Sequence, residues 1–248
     1  MTRTRTGHSP GHRPRSRRAA ALAAVTAAAA LTATTALLSA PAAFAAGSDD
    51  ILSAGAANPN GTNVSNTDTV DGSIQSGTTP TFKFTANGNS VTITCTEVTI
   101  VIKVTSNPPP PGTATFVIEE LTFSGCTVTG ESGVSVSSIT LKSGTTGTGT
   151  ITDGTPPVIV ITSINEAVTL KTALGNVVCD YGTTSTVASI RGTFTNPSPA
   201  GTGGSVVFAN DPIGLISGSS YCGASGSAGS FSMKLGGLFV GTEPVYVN

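Results

Sequence analysis

The stretch TFKFTANGNSVTITCTEVTIVIKVTSNPPPPGTATFVIEELTFSGC, residues 81–126, decides the fold. Phe82 and Phe84 fall on one face of an extended chain, and so do Val91, Ile93 and Cys95. Apolar residues at every second position are the signature of a half-buried strand. Past Cys95 the apolar set shifts parity to Val98, Ile100, Ile102 and Val104. A strand of strict period two makes that shift only by taking in an extra residue, which predicts a bulge or bend near Thr96-Glu97. The same shift separates Phe116 and Ile118 from Leu121 and Phe123, with Glu119-Glu120 at the break. Between the two runs lies Asn107-Pro108-Pro109-Pro110-Pro111-Gly112-Thr113. Proline cannot donate to a ladder and glycine reaches positive φ, so this segment reads as a stiff turn rather than a polyproline ligand.

Further strands are predicted at Ser135 to Leu141, Val158 to Thr162, Ala167 to Thr172, Asn176 to Tyr181, Thr186 to Thr195, Ser205 to Phe208, Ser230 to Leu235 and Val245 to Val247. No helical periodicity is present beyond the first 45 residues. Many short strands at regular spacing predict an all-β protein, an antiparallel β-sandwich or partly open barrel, immunoglobulin-like in style. Residues 80–248 form this β domain. Residues 46–79, rich in Asn, Gly, Ser, Thr and Asp, read as a flexible N-terminal arm. The Thr/Gly run from Ser143 to Thr152 reads as a low-charge loop or edge; it lacks the lysine and the following helix of a phosphate cradle.

A second Asn-Pro-x-Pro-x-Gly-Thr segment, Asn196 to Thr202, lies between Cys179 and Cys222 as the first lies between Cys95 and Cys126. The chain is therefore expected to hold two quasi-repeated halves, about 80–130 and 165–235. An even number of cysteines in an exported chain predicts disulfides. Of the three possible connectivities the repeat favours Cys95–Cys126 and Cys179–Cys222. Each bridge would stabilise the fold by roughly 3–4 kcal/mol on the chain-entropy model. A zinc site or redox dithiol needs a close pair such as Cys-x-x-Cys, and the sequence has none.

Export is read from residues 1–45. Six arginines, the last at Arg18, precede an Ala/Leu-rich run from Ala19 to Leu38, a break at Pro41 and the cleavage signature Ala43-Phe44-Ala45. This is the layout of a cleaved signal peptide. The protein is expected to be extracellular, with no membrane span after processing. Six of the twelve basic residues lie in the signal and no acid precedes Asp49, so residues 46–248 carry six basic and thirteen acidic groups, a net charge of −7. Nucleic acids and anionic membranes require clustered Lys and Arg, and are not expected partners.

Both histidines, His8 and His12, fall in the signal. The mature chain thus has no imidazole base or ligand and no Ser-His-Asp triad. No cofactor motif is present. Matching the inward faces of the two runs about Pro108 pairs Ile100 with Phe116 and Val98 with Ile118. Glu97 then stands opposite Glu119, with Glu120 alongside. Three readings follow: a solvated acidic edge, a cation site, or a pair of catalytic carboxylates at glycosidase spacing. Asp68 and Asp71, near Asn66 and Gly72, are weak calcium-ligand candidates that miss the loop spacing of known calcium motifs.

The elements Leu121-Thr122-Phe123-Ser124-Gly125-Cys126, Cys179-Asp180-Tyr181 and Pro244-Val245-Tyr246-Val247 resemble those of a family of uncharacterised all-β proteins secreted by actinobacteria. That resemblance implies no activity. In composition alone the chain is similar to the smaller, acidic, two-disulfide proteins that carry enediyne antibiotics. The expected function is a non-enzymatic extracellular module for association or ligand binding. The alternatives are a carrier of a small apolar ligand and a carboxylate hydrolase.

Overall fold

The structure, a computed structural model, describes residues 49–198, 201–224 and 227–248; the predicted signal, 1–45, lies outside them. In chain order the strands are β1 Leu52–Ala54, β2 Thr62–Asn63, β3 Thr69–Ile74, β4 Thr81–Ala86, β5 Asn89–Thr94 and β6 Glu97–Ser106. There follow β7 Thr113–Ser124, β8 Thr127–Thr129, β9 Ser135–Leu141, β10 Gly147–Thr152, β11 Val158–Ser163 and β12 Asn165–Thr172. The last are β13 Gly175–Gly182, β14 Ile190–Thr195, β15 Gly204–Ser217, β16 Ala228–Val240 and β17 Glu243–Val247. One short 3-10 turn, Ser220–Cys222, is the sole helical element among the described residues. The all-β reading holds.

Eight strands close on themselves through antiparallel pairs in the order β3-β6-β7-β10-β11-β14-β15-β16 and back to β3. β3, β6 and β7 pair in sequence, and β11, β14 and β15 do so with the same spacing along the chain. The two Asn-Pro turns hold equivalent places, joining β6 to β7 and β14 to β15. Three long strands then change partners and extend a second tier. β7 passes from β10 to β9, β15 from β14 to β13, and β16 from β3 to β4. In this tier Phe82, Phe123 and Phe231 pack against one another, and Phe84 packs against Tyr181.

Local chemistry explains the connections. Asn87 and Gly88 both take positive φ, 50° and 80°, between β4 and β5. That is the geometry of a two-residue hairpin whose twist matches the strands. Gly125 turns the chain at φ 61°, where a Cβ would overlap Thr96 Oγ1. Cys126 is thereby returned to Cys95, and the second bridge joins Cys179 to Cys222.

Two expectations are corrected. The segment 46–79 is not a free arm over its described part. It supplies β1, β2 and the ring strand β3, and buries Ile51, Val64 and Val70. These apolar residues are too widely spaced to show periodicity, yet each inserts into the core. The run 143–152 contains β10, paired on both edges. Its inward positions include Gly147 and Gly149, which face Ile118 and Phe116. An inward glycine leaves no apolar mark in the sequence. A Cβ on Gly149 would lie 2.5 Å from Phe116 Cζ and 2.7 Å from the Val160 carbonyl oxygen. Gly149→Val is expected to destabilise the fold by about 2 kcal/mol through overpacking. An unchanged urea midpoint would contradict this packing.

The terminal strands are held by the turn asparagines. Asn107 is buried; its Oδ1 accepts the Leu52 N–H at 2.9 Å, and its Nδ2 donates to the carbonyls of Leu52 and Val64, both at 2.9 Å. Asn196 makes the corresponding pair with Val247, accepting its N–H at 2.7 Å and donating to its carbonyl at 2.8 Å. Leu52 and Val247 are direct partners in the β1–β17 ladder. Each half of the chain thus clamps one of two adjoining terminal strands.

Candidate functional site

The carboxylates singled out from sequence do not converge. Glu97 pairs with Ser124, whose hydroxyl donates to Glu97 Oε2 at 2.5 Å. Glu120 stands opposite Val101. Glu119 is the extra residue of a bulge, since Val101 pairs with Glu120 while Ile102 pairs with Ile118. It forms an exposed ion pair with Lys103 at 3.9 Å. The level of Glu97 is therefore five residues along β7 from Glu119, roughly 16 Å at the rise of a strand. The parity break at Glu119-Glu120 is a bulge, as expected. The break at Thr96-Glu97 is the bend between β5 and β6, the other form the sequence allowed. A bend and a bulge need not share a level, which is why the expected juxtaposition of Glu97 and Glu119 does not form. Glu97→Gln and Glu119→Gln are each expected to change stability by less than about 0.5 kcal/mol. A larger loss in chemical denaturation would show a contact that this register does not contain.

Asp68 Oδ2 accepts the Ser65 N–H at 2.8 Å and closes a turn before β3. Asp71 sits on the exposed face of β3, opposite Val101 and Phe239. Among the described residues no three His, Cys, Asp or Glu side chains gather in a metal-binding group.

The structure draws attention to a different carboxyl. Glu166, Val168 and Leu170 alternate along β12 and all point inward. Glu166 is 7% exposed. Its neighbours in register are Leu141 on β9 and Tyr181 on β13. Burial alone pushes its carboxyl up to about 8. Desolvation disfavours the charged form, and no hydrogen bond or opposite charge offsets it. Tyr181 does not serve as its partner, because its hydroxyl donates to the Cys222 carbonyl at 2.6 Å.

Glu166 lines an internal cavity of about 20 Å³ at the junction of the two tiers, with Ile164, Ile190, Ile213, Phe231 and Met233 in the wall. A larger cavity of about 60 Å³ occupies the ring interior and is lined wholly by apolar side chains, among them Ile102, Phe116, Ile151, Phe194 and Leu238. Ile100, Ile118, Ile161 and Phe208 belong to both walls. A water needs a space of at least roughly 10–15 Å³ and takes up about 30 Å³ in the liquid, so the larger cavity has room for about two waters and the smaller for about one. An eight-stranded ring is just wide enough to be filled by side chains or to hold one small ligand.

A second polar cluster lies on the same strands. Asp180, 5% exposed, receives Lys142 Nζ at 2.7 Å and Ser217 Oγ at 2.6 Å on Oδ2. Burial pushes this carboxyl up, but the hydrogen bonds from Lys142 and Ser217 and the Lys142 charge outweigh it and hold the carboxyl below its ordinary value. It alternates with Tyr181 and so extends from the opposite side of β13. This is a structural tie between β9, β13 and β15, not part of the cavity.

Sequence reasoning missed Glu166 by starting its strand at Ala167. The signal was present: Glu166 continues the alternation of Val168 and Leu170 one step towards the N-terminus. No protein-family model matches the chain, and no curated protein or solved structure matches it either.

Proposed function

We propose that the chain is exported, oxidised and active outside the cell as a non-enzymatic binding module that takes a small apolar ligand into its strand ring. The observation that carries this reading is the pair of adjoining internal cavities, one wholly apolar and one bearing a buried carboxyl. Apolar concavities with a few placed polar groups are the usual form of small-molecule sites. Their size restricts the ligand to a few heavy atoms. Two disulfides, with no free cysteine among the described residues, support maturation in an oxidising compartment. Among the described residues no helix is long and apolar enough to cross a membrane. The test is native mass spectrometry of protein taken from culture fluid. A chain beginning at residue 46, four hydrogens lighter than the reduced form and carrying a small retained mass, is the expected result. A chain that carries none, and whose melting temperature no small apolar compound raises, would defeat the ligand reading. A second reading, association with a surface or another protein, is favoured by Leu174, Val178 and Ile216, which are 87%, 52% and 38% exposed on and beside β13 and β15.

A further inference from the structure

We infer that the ligand is a short-chain alkylammonium, its cationic head paired with Glu166 in the small cavity and its aliphatic chain in the apolar ring cavity. The inference rests on the ligand-binding reading above and adds the chemical class. Acidic side chains are almost never fully buried unless paired. Glu166 is buried, faces a cavity and lacks a partner among the described residues. Its surroundings hold no cation to pair with it. Lys142, which follows the register neighbour Leu141 in the chain, is committed to Asp180. Leu141 faces Glu166 from β9 and Tyr181 from β13, the latter spending its hydroxyl on Cys222. The cavity wall contributed by the ring strands is apolar. An apolar chamber with one unpaired carboxyl selects for a molecule with one positive end and a hydrocarbon body.

Size sharpens the class. Space for about one water at Glu166 suits a primary ammonium. The apolar space of about 60 Å³ beyond it suits a short aliphatic chain. Aromatic amines would exceed it. Binding also carries a proton balance. Below pH 8 the Glu166 carboxyl is protonated, so a bound ammonium displaces that proton to solvent and leaves the carboxylate paired with R-NH3+. Affinity then rises about tenfold per pH unit up to about pH 8, where the carboxyl is already ionised.

The experiment is an NMR titration of the intact mature protein with n-butylamine and, separately, 1-butanol, following the methyl groups of Ile100 and Ile118. The expected result is saturable binding of n-butylammonium that tightens about 30-fold from pH 6 to pH 7.5, with butanol binding more weakly and without pH dependence. In Glu166→Gln, which retains the side-chain volume, n-butylammonium binding should fall at least tenfold while butanol binding persists. Equal binding of amine and alcohol, or pH-independent amine binding, would overturn the ammonium assignment and leave the apolar-ligand reading standing. Binding of neither compound would overturn both. The wild-type comparison of amine with alcohol needs no variant, so a poorly folded substitution does not blunt the test.

Discussion

Glu166→Gln is expected to be more stable than the parent protein by about 3 kcal/mol at pH 7, and the difference should vanish below about pH 4.5. In the unfolded chain the Glu166 carboxyl titrates at 4.5, and in the fold burial pushes it up to about 8. The folded state therefore binds the proton more tightly. Stability that depends on this group is fully present below pH 4.5 and is lost as pH rises towards 8. The loss runs at about 1.4 kcal/mol per pH unit, which gives about 3 kcal/mol between pH 4.5 and 7. Gln has no proton to lose, so the variant lacks the decline. Urea midpoints of both proteins at pH 4 and pH 7 check this, since all other carboxylates contribute equally to the two. Parallel curves would mean that Glu166 ionises in the fold against a partner, contrary to its surroundings. A small ammonium added to the parent protein at pH 7 should recover part of the lost stability, because it binds only the folded state.

Asn107→Ala is expected to lower stability by about 3–4 kcal/mol. Its side chain spans the N–H and carbonyl of Leu52 and the carbonyl of Val64, all away from solvent. Buried backbone groups left without partners cost roughly 1–3 kcal/mol each, with incomplete additivity. Asn107→Asp should not rescue, because a carboxylate cannot donate to two carbonyls. Asn196 offers the control. It makes the same two-way bond to Val247 but is exposed, so water can replace it, and Asn196→Ala should cost only about 1 kcal/mol. Equal losses at the two sites would show that burial does not distinguish the clamps. Denaturant unfolding gives the magnitudes. Amide hydrogen exchange at Ser53, Ala54 and Val64 should show whether β1 and β2 loosen first.

Much of the architecture was legible in residues 81–126. The alternation Val98, Ile100, Ile102, Val104 against Phe116, Ile118, Leu121, Phe123 named both strands of the central hairpin and the bulge at Glu119. The cysteines flanking the two Asn-Pro turns anticipated both bridges. The elements that escaped have a common cause. β10 faces inward partly with glycine, and β3 offers only Val70 and Gly72 to the core before Ile74. A strand whose inward positions lack side chains gives periodicity nothing to register. Gly72 and Gly149 are nevertheless filled, by Leu238 and Phe116 from neighbouring strands.

The candidate site was less legible because its meaning depends on what surrounds it. Glu166 alternates with Val168 and Leu170, which is visible in the sequence. The absence of a partner is not, since it depends on Tyr181 turning to Cys222 and Lys142 turning to Asp180. By itself the sequence determined the all-β class and the turn chemistry, because these follow from local conformational limits and composition. Tertiary structure decided the register of β6 against β7, the closure of the ring and the isolation of Glu166. Register is a sum over every side chain packed along two strands, and one bulged residue moves Glu97 and Glu119 to different levels. Isolation is a property of the packed interior, where a carboxyl loses water and gains a partner only if another strand brings one.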